Sequence, residues 1–426
     1  MIVSSIKDRT PQINKNVETD KINISFLGLL SFLCGLPSFY TINLMGELYA
    51  TEAILPVLTI ILLLSGKEKR IFKEKIFWAF VFSTVVMIIG YIISDLIAGT
   101  SQFNYLRAWG RNAVLFSDIV SLSILVSSDK RYLWWYVFGL ALGSLVYLHL
   151  TGVSFTGPNW KLAYSQPIFI LGLISTYFIP NKLSIILIIV IGVFSFYMDS
   201  RSFSIICILV GGVLWVRQGN TETYQIAKAK GLAKIILAGC IGIYLVISIM
   251  ALTQEDFGAR RDMSSIGRAA ALRIGLIAIM DSPIIGYGSW GEGTKKYATM
   301  LFKETESDMR ELGASNLHQG KTFLAHSQVV QSWMEGGILA AQLFIYYGYK
   351  ILAALKIILL KRRLDYMTGF YSYFLISAFW GLFMNPYAGI HRLGIAFSIA
   401  IICTINVELT KKINSLSAKN NVRLTS

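Results

Sequence analysis

The chain has 426 residues, 54% of them hydrophobic and only 15% charged, with a net charge of +15. Soluble domains carry about a quarter charged residues, so this chain lacks the polar side chains to cover the two or three soluble domains its length would allow. An aromatic content of 13% excludes intrinsic disorder, and the expected fold class is all-α, a polytopic membrane helical bundle.

Residues 1–23 are polar, mixed in charge and read as a cytoplasmic tail. The apolar run behind them carries no small-residue cleavage site, so no removable signal peptide is expected. A helix needs roughly 20 apolar residues to cross the hydrocarbon core. Runs near that length lie at 24–42, 48–65, 76–98, 112–127, 133–151, 165–180, 183–199, 202–217, 233–253, 337–356, 368–385 and 393–409, which predicts twelve spans. The run at 112–127 carries Asp118, and little more than Asp199, Ser200 and Arg201 separates 183–199 from 202–217. The chain thus divides into a tail (1–23), nine spans (24–253), a large periplasmic loop (254–336), three spans (337–409) and a cytoplasmic C-terminal tail (410–426).

The distribution of Lys and Arg is an independent test of this count. With the N-terminus in the cytoplasm, inner segments hold 24 basic residues and the short outer loops only five: Arg107, Arg111, Lys161, Arg201 and Arg392. A miscount of one span would put every later loop on the wrong side and destroy that asymmetry. Both termini are therefore expected in the cytoplasm. The outer segment 254–325 carries nine more basic residues, and long loops escape the rule. Within it, 264–281 (SSIGRAAALRIGLIAIMD) predicts a helix capped by Ser264 or Ser265 and ended by Pro283, Gly286 and Gly288. Its apolarity suits packing on the bilayer surface or the bundle. The cysteines (Cys34, Cys207, Cys240 and Cys403) each lie in an apolar run with no metal-ligand spacing, and read as buried free thiols.

Outer-face residues are the candidates for chemistry: Arg201 in FYMDSRSFSII, Arg107 and Arg111 in YLRAWGRNA, Arg268 and Arg273 on the loop helix, and His326 in AHSQVVQSWMEGGILAA. Any one arginine at a helix end fits a snorkelling lipid anchor, and one interfacial histidine fits a structural hydrogen-bonder. The set is distinguished by arginines from three parts of the chain falling on one side with a titratable base. Guanidinium groups bind diphosphate bidentately, and a histidine neutral near pH 7 accepts a proton from a hydroxyl. Glu335 is nine residues beyond His326, on the opposite side of a continuous helix, and reads as a structural residue bonded to loop backbone.

The stretch GRAAALRIGLIAIMDSPIIGYGSWGEG followed by HSQVVQSWMEGGILAAQ resembles the signature of the O-antigen ligase and polymerase superfamily. The matching positions are Arg268, Asp281, Pro283, Gly286 and Gly288, then His326, Glu335 and Gly337, with Ser200 and Arg201 at the start of a span. GELYATE (46–52) resembles the N-terminal part of exopolysaccharide polymerases in this group. Leu272 stands where many relatives have Trp, and Ser327 where Asn often follows the histidine.

The resemblance implies a fold like the C-type membrane glycosyltransferases and an inverting transfer without metal or other cofactor. His326 would be the general base, Arg201 and Arg268 would hold the departing undecaprenyl diphosphate, and Arg273, Arg107 and Arg111 would bind substrate. The expected setting is the periplasmic face of a bacterial inner membrane. The implied partners are an undecaprenyl-diphosphate-linked oligosaccharide, an acceptor glycan, membrane lipids, a chain-length regulator and a flippase, and not nucleic acid. Three activities fit: a repeat-unit polymerase, a ligase that passes glycan to lipid A core or a protein hydroxyl, and a lipid-linked oligosaccharide transporter. A transporter would line a path through the bundle with charge; mid-span charges are few, Asp118 with Asp95 and Lys350.

Overall fold

The computed structural model describes residues 25–43, 47–64, 71–155, 159–198, 200–217, 255–311, 325–360 and 367–425. The expected span 233–253 and the tail 1–23 lie outside the described residues, as do Asp199 and Cys240.

The described chain is almost entirely helical. Helix α1 (Phe26–Gly35) starts where the Ser25 hydroxyl accepts from the Gly28 amide at 3.1 Å. It ends sooner than the apolar run does. Residues 41–43 and 47–49 instead pair as two short antiparallel strands, Thr41 opposite Tyr49, a minor addition to the helical fold that was expected. Helices α2 (Ala50–Leu64), α3 (Lys75–Ala98), α4 (Gln102–Ser128) and α5 (Lys130–Leu150) follow. A π-helical turn, Trp160–Tyr164, leads into α6 (Ser165–Ser175), then α7 (Asn181–Tyr197) and α8 (Arg201–Arg217). Beyond the undescribed segment come α9 (Glu255–Asp281), α10 (Lys295–Glu311), α11 (Gln328–Leu360), α12 (Thr368–Met384) and α13 (Arg392–Thr425).

Helices thus occupy eleven of the twelve expected spans, the remaining one being undescribed. Four are long and apolar enough to cross a membrane by themselves: Lys75–Ala98, Gln102–Ser128, Lys130–Leu150 and Gln328–Leu359. Six more are apolar but shorter, among them α1, α2 and α6. Their outward faces carry large apolar side chains, such as Leu64, Phe82 and Leu96, at 70% exposure or more. Such a surface is stable against lipid and not against water. The chain is a multi-pass membrane protein.

Packing follows residue size. Helix α5 contains Gly139 and Gly143, four residues apart, and there it meets the backbone of Phe32 in α1 and of Leu36 just past its end so closely that a methyl group would not fit. Helix α4 lies along α13, and α3 along the second half of α11. The main core runs between them through Leu115, Ile119, Leu122, Phe344, Tyr347 and Ile399. Cys34, Cys207 and Cys403 are buried and free, as expected.

Two boundaries differ from expectation, and both bear on the site. The run at 112–127 suggests a helix with Arg107 and Arg111 in the preceding loop. Helix α4 instead starts at Gln102, because Gly99 in the left-handed conformation ends α3 at once. Both arginines are therefore helical. Helix α9 likewise begins at Glu255, nine residues before the expected cap at Ser264.

Candidate active site

Helix α9, α10 and the first turns of α11 share an apolar cluster separate from the main core: Ala271, Ile274, Ala278, Tyr297, Val330 and Met334 belong to it. Ala271, Ile274 and Ala278 recur at helical spacing, so one face of α9 is buried. Gly275 lies on that face, where a Cβ would sit 2.6 Å from Val330 Cγ1 and 3.7 Å from the Ala325 methyl. This close approach brings α9 against the segment that carries His326. Arg268 is two helical turns before Gly275, about 10 Å along the same face. His326 follows the buried Ala325 and is itself exposed, as is Arg268. Lost hydration on the protein side and then the Arg268 charge hold the His326 imidazole below its ordinary pKa of 6.5. At neutral pH it is an unprotonated base beside a fixed positive charge.

A glycine clasp ties this outer assembly to the bundle. Gly286 (φ 82°) and Gly288 (φ 80°) turn the chain after α9, and Gly337 (φ 67°) breaks α11 opposite them. The Tyr287 amide donates to Met334 O at 2.8 Å, the Gly288 amide to Glu335 O at 3.1 Å, and the Ile338 amide to Ile284 O at 3.3 Å. Gly337 packs directly on the Ile284 carbonyl, leaving no space for a side chain. Ser94 on α3 completes the joint by donating to Glu335 O at 2.6 Å. Asp95 beside it accepts from the Ser289 amide and hydroxyl and from Trp109 Nε1, at 2.6, 2.7 and 2.8 Å. Asp281, which ends α9, accepts from the Tyr297 hydroxyl and from Lys296 Nζ at 2.9 Å. Those two donors hold its carboxyl below the ordinary range.

Helix α11 is therefore not continuous, and His326 precedes it rather than lying on it. Because His326 lies ahead of the helix, the arithmetic that set Glu335 opposite it does not apply to the pair; the expectation that the Glu335 side chain bonds to loop backbone is corrected. The buried Glu335 carboxylate accepts from Arg111 Nη2 at 2.8 Å, Tyr91 OH at 2.9 Å and Gln331 Nε2 at 3.0 Å. Only its carbonyl serves the loop.

The structure brings Arg268 close to His326, while Arg201 and Arg107 stand on α8 and α4 and Arg273 lies further along α9. Arg201 opens α8 behind the buried Ser200 and is half-buried. Arg273 is exposed and turned about 140° from Arg268 around α9. Arg111, 3% exposed, is ion-paired to Glu335 and donates to Tyr387 O at 2.7 Å, so its charge is spent inside the fold. Arg107 is half-exposed, 4.5 Å from the Trp290 ring and 5.2 Å from that of Phe103. Trp290 separates the two arginines and is the one non-glycine described residue with positive φ, 57°. Of the mid-span charges, Asp118 is fully buried, Asp95 belongs to the clasp, and Lys350 lies over the Tyr346 and Tyr349 rings.

Sequence reasoning missed Tyr91, Ser94, Gln331, Tyr387 and the buried pair of Arg392 with Glu52, 2.7 Å at its shorter contact. Uncharged polar side chains inside apolar runs leave no mark that distinguishes them from ordinary helix-face residues. Among the described residues, no group of three His, Cys, Asp or Glu is placed to hold a metal ion.

Residues 167–345, from α6 into the second half of α11, match the family model described as O-antigen ligase. That segment includes Arg201, Arg268, Arg273, His326, Glu335 and Gly337, and leaves out Arg107 and Arg111. A search of curated proteins finds no match. Helical architecture, the order of the motif residues and the match over residues 167–345 agree, and together they support the O-antigen ligase/polymerase superfamily, whose members are membrane enzymes of the glycosyltransferase type.

Proposed function

We propose that the protein is a polysaccharide repeat-unit polymerase, joining undecaprenyl-diphosphate-linked oligosaccharides at the periplasmic face of an inner membrane. The observation that carries the reading is the exposed His326, whose imidazole pKa is lowered by lost hydration and by the nearby Arg268. In the proposed step, His326 accepts the proton of an acceptor sugar hydroxyl while that oxygen attacks the anomeric carbon of the donor. The anomeric carbon–oxygen bond breaks and its electron pair leaves with the diphosphate, which inverts the configuration. Arg268 and Arg201 neutralise the departing diphosphate, the charge-stabilising contribution that dominates transfers of this kind. The step draws on no metal. Arg273 and Arg107 are proposed to bind the outlying phosphate and sugar groups. The expected topology of twelve spans with both termini in the cytoplasm would put these residues on the outer side, in keeping with this reading.

The family model's own description supports a second reading, a ligase that hands finished glycan to lipid A core or to a protein hydroxyl. The two differ only in acceptor. A deletion strain separates them: loss of a polymerase leaves single repeat units on lipid A, whereas loss of a ligase leaves none. Transfer by the purified protein from an undecaprenyl-diphosphate-linked donor tests the chemistry, and an unimpaired His326→Ala variant would remove the proposed base.

A further inference from the structure

His326 lies at the start of a short, isolated helical segment. Gly337 breaks α11, so the nine residues Gln328–Gly336 are not held in line by the remainder of that helix. What fixes them is lateral. Along one face, Ser327, Gln331 and Glu335 recur every four residues, and each is at most 2% exposed.

The Ser327 hydroxyl, adjacent to His326, donates to Leu382 O on α12 at 2.8 Å. It also accepts from the Val330 amide at 3.3 Å, as an N-cap. Gln331 Oε1 accepts from the Tyr387 amide at 2.8 Å, while its Nε2 donates to Glu335 Oε1 at 3.0 Å. Glu335 is held by Tyr91 of α3 and by Arg111 of α4. Arg111 closes the circuit by donating to Tyr387 O at 2.7 Å. Every member is buried, where a hydrogen bond to an ionised group is stronger and its direction more restrictive than in water.

We infer that Arg111 and Glu335 are positioning residues, which set where His326 stands relative to Arg268 without touching substrate. The inference rests on the proposed base role of His326. The geometry supports it in two ways. The pair meets at the far end of a polar face by which this segment reaches the bundle. The same residue 335 also receives, at its carbonyl, the Gly288 amide from the turn that follows the Arg268 helix. A single residue thus references both halves of the site to α3 and α4.

The test uses the full chain in detergent with four variants: Arg111→Gln, Glu335→Gln, the double Arg111→Gln/Glu335→Gln, and Arg111→Lys. Each single Gln variant leaves one buried charge uncompensated and should lower the thermal midpoint. The double variant removes both charges and retains amide hydrogen-bonding groups, so its midpoint should return toward that of the parent. Arg111→Lys keeps the charge but loses the planar fork that reaches Tyr387 O and Glu335 together.

A purely structural role predicts that activity returns with stability. Positioning predicts that kcat stays about 10–100-fold down in the double and Lys variants with KM unchanged, because a misplacement on the order of 1 Å costs that much. Amide exchange across 325–336 should rise in the same samples while α3 and α4 stay protected. Recovery of kcat together with the midpoint, or unaltered exchange at 325–336, would overturn the inference. Should the parent itself transfer no glycan from a lipid diphosphate, the functional reading falls, and the exchange measurement alone decides whether the pair positions this segment.

Discussion

Arg268 and His326 come from segments nearly sixty residues apart in sequence, yet the guanidinium stands close enough to depress the imidazole pKa. Packing of Gly275 on Val330 and Ala325 brings the two together. A histidine whose folded pKa lies below 6.5 becomes unprotonated as pH rises through that lower value. The acid limb of kcat/KM should therefore have its midpoint below 6.5. Arg268→Gln removes the smaller of the two causes, so the limb should move upward while remaining below 6.5, since lost hydration persists. A pH profile of transfer by parent and variant checks this; a limb that stays put or moves down contradicts it.

His326→Ala should lower the rate by about 10²–10⁴-fold, the usual contribution of a general base. Arg268→Ala should lower it by about 10²–10³-fold through lost stabilisation of the leaving group. Both side chains are exposed, so thermal midpoints should scarcely change. Rates measured on detergent-purified protein of verified midpoint separate chemistry from unfolding.

Gly337→Ala should be severe although the added group is one methyl. At φ 67° an L-residue is strained, and its Cβ would run into the Ile284 carbonyl. Together these cost on the order of 2–5 kcal/mol. The clasp should loosen first, visible as faster amide exchange at Tyr287 and Gly288. An equally protected clasp in the variant would show that the left-handed turn is dispensable.

The buried pair of Arg392 and Glu52 and the surface pair of Arg131 and Asp129 have similar contact distances, 2.7 and 2.6 Å. Their contributions should differ widely. Arg392→Met strands a fully buried carboxylate and should cost about 3–5 kcal/mol. Arg131→Met should cost about 0–1 kcal/mol, because water screens that pair. Thermal unfolding of the two variants side by side provides the comparison, and equal losses would mean that burial does not set the scale here.

Composition and apolar run length by themselves determined that the chain is a helical membrane protein, because crossing hydrocarbon demands unbroken stretches of apolar side chains. The ordered motif from Arg268 to Gly337 likewise pointed to the family over the segment that the family model matches. Local pattern could not tell which polar groups face each other. Arg107 and Arg111 are five and nine residues into α4, and nothing in YLRAWGRNA distinguishes a loop arginine exposed to substrate from one neutralised by Glu335. The break at Gly337 is equally silent in sequence, since a glycine inside an apolar run usually continues the helix. It becomes a turn here because Ile284, more than fifty residues earlier, occupies the space of its side chain. Tertiary structure alone decided the pairing of Arg268 with His326 and the sequestration of Arg111. Both depend on contacts between distant segments, whose free energies are realised only when the helices have packed.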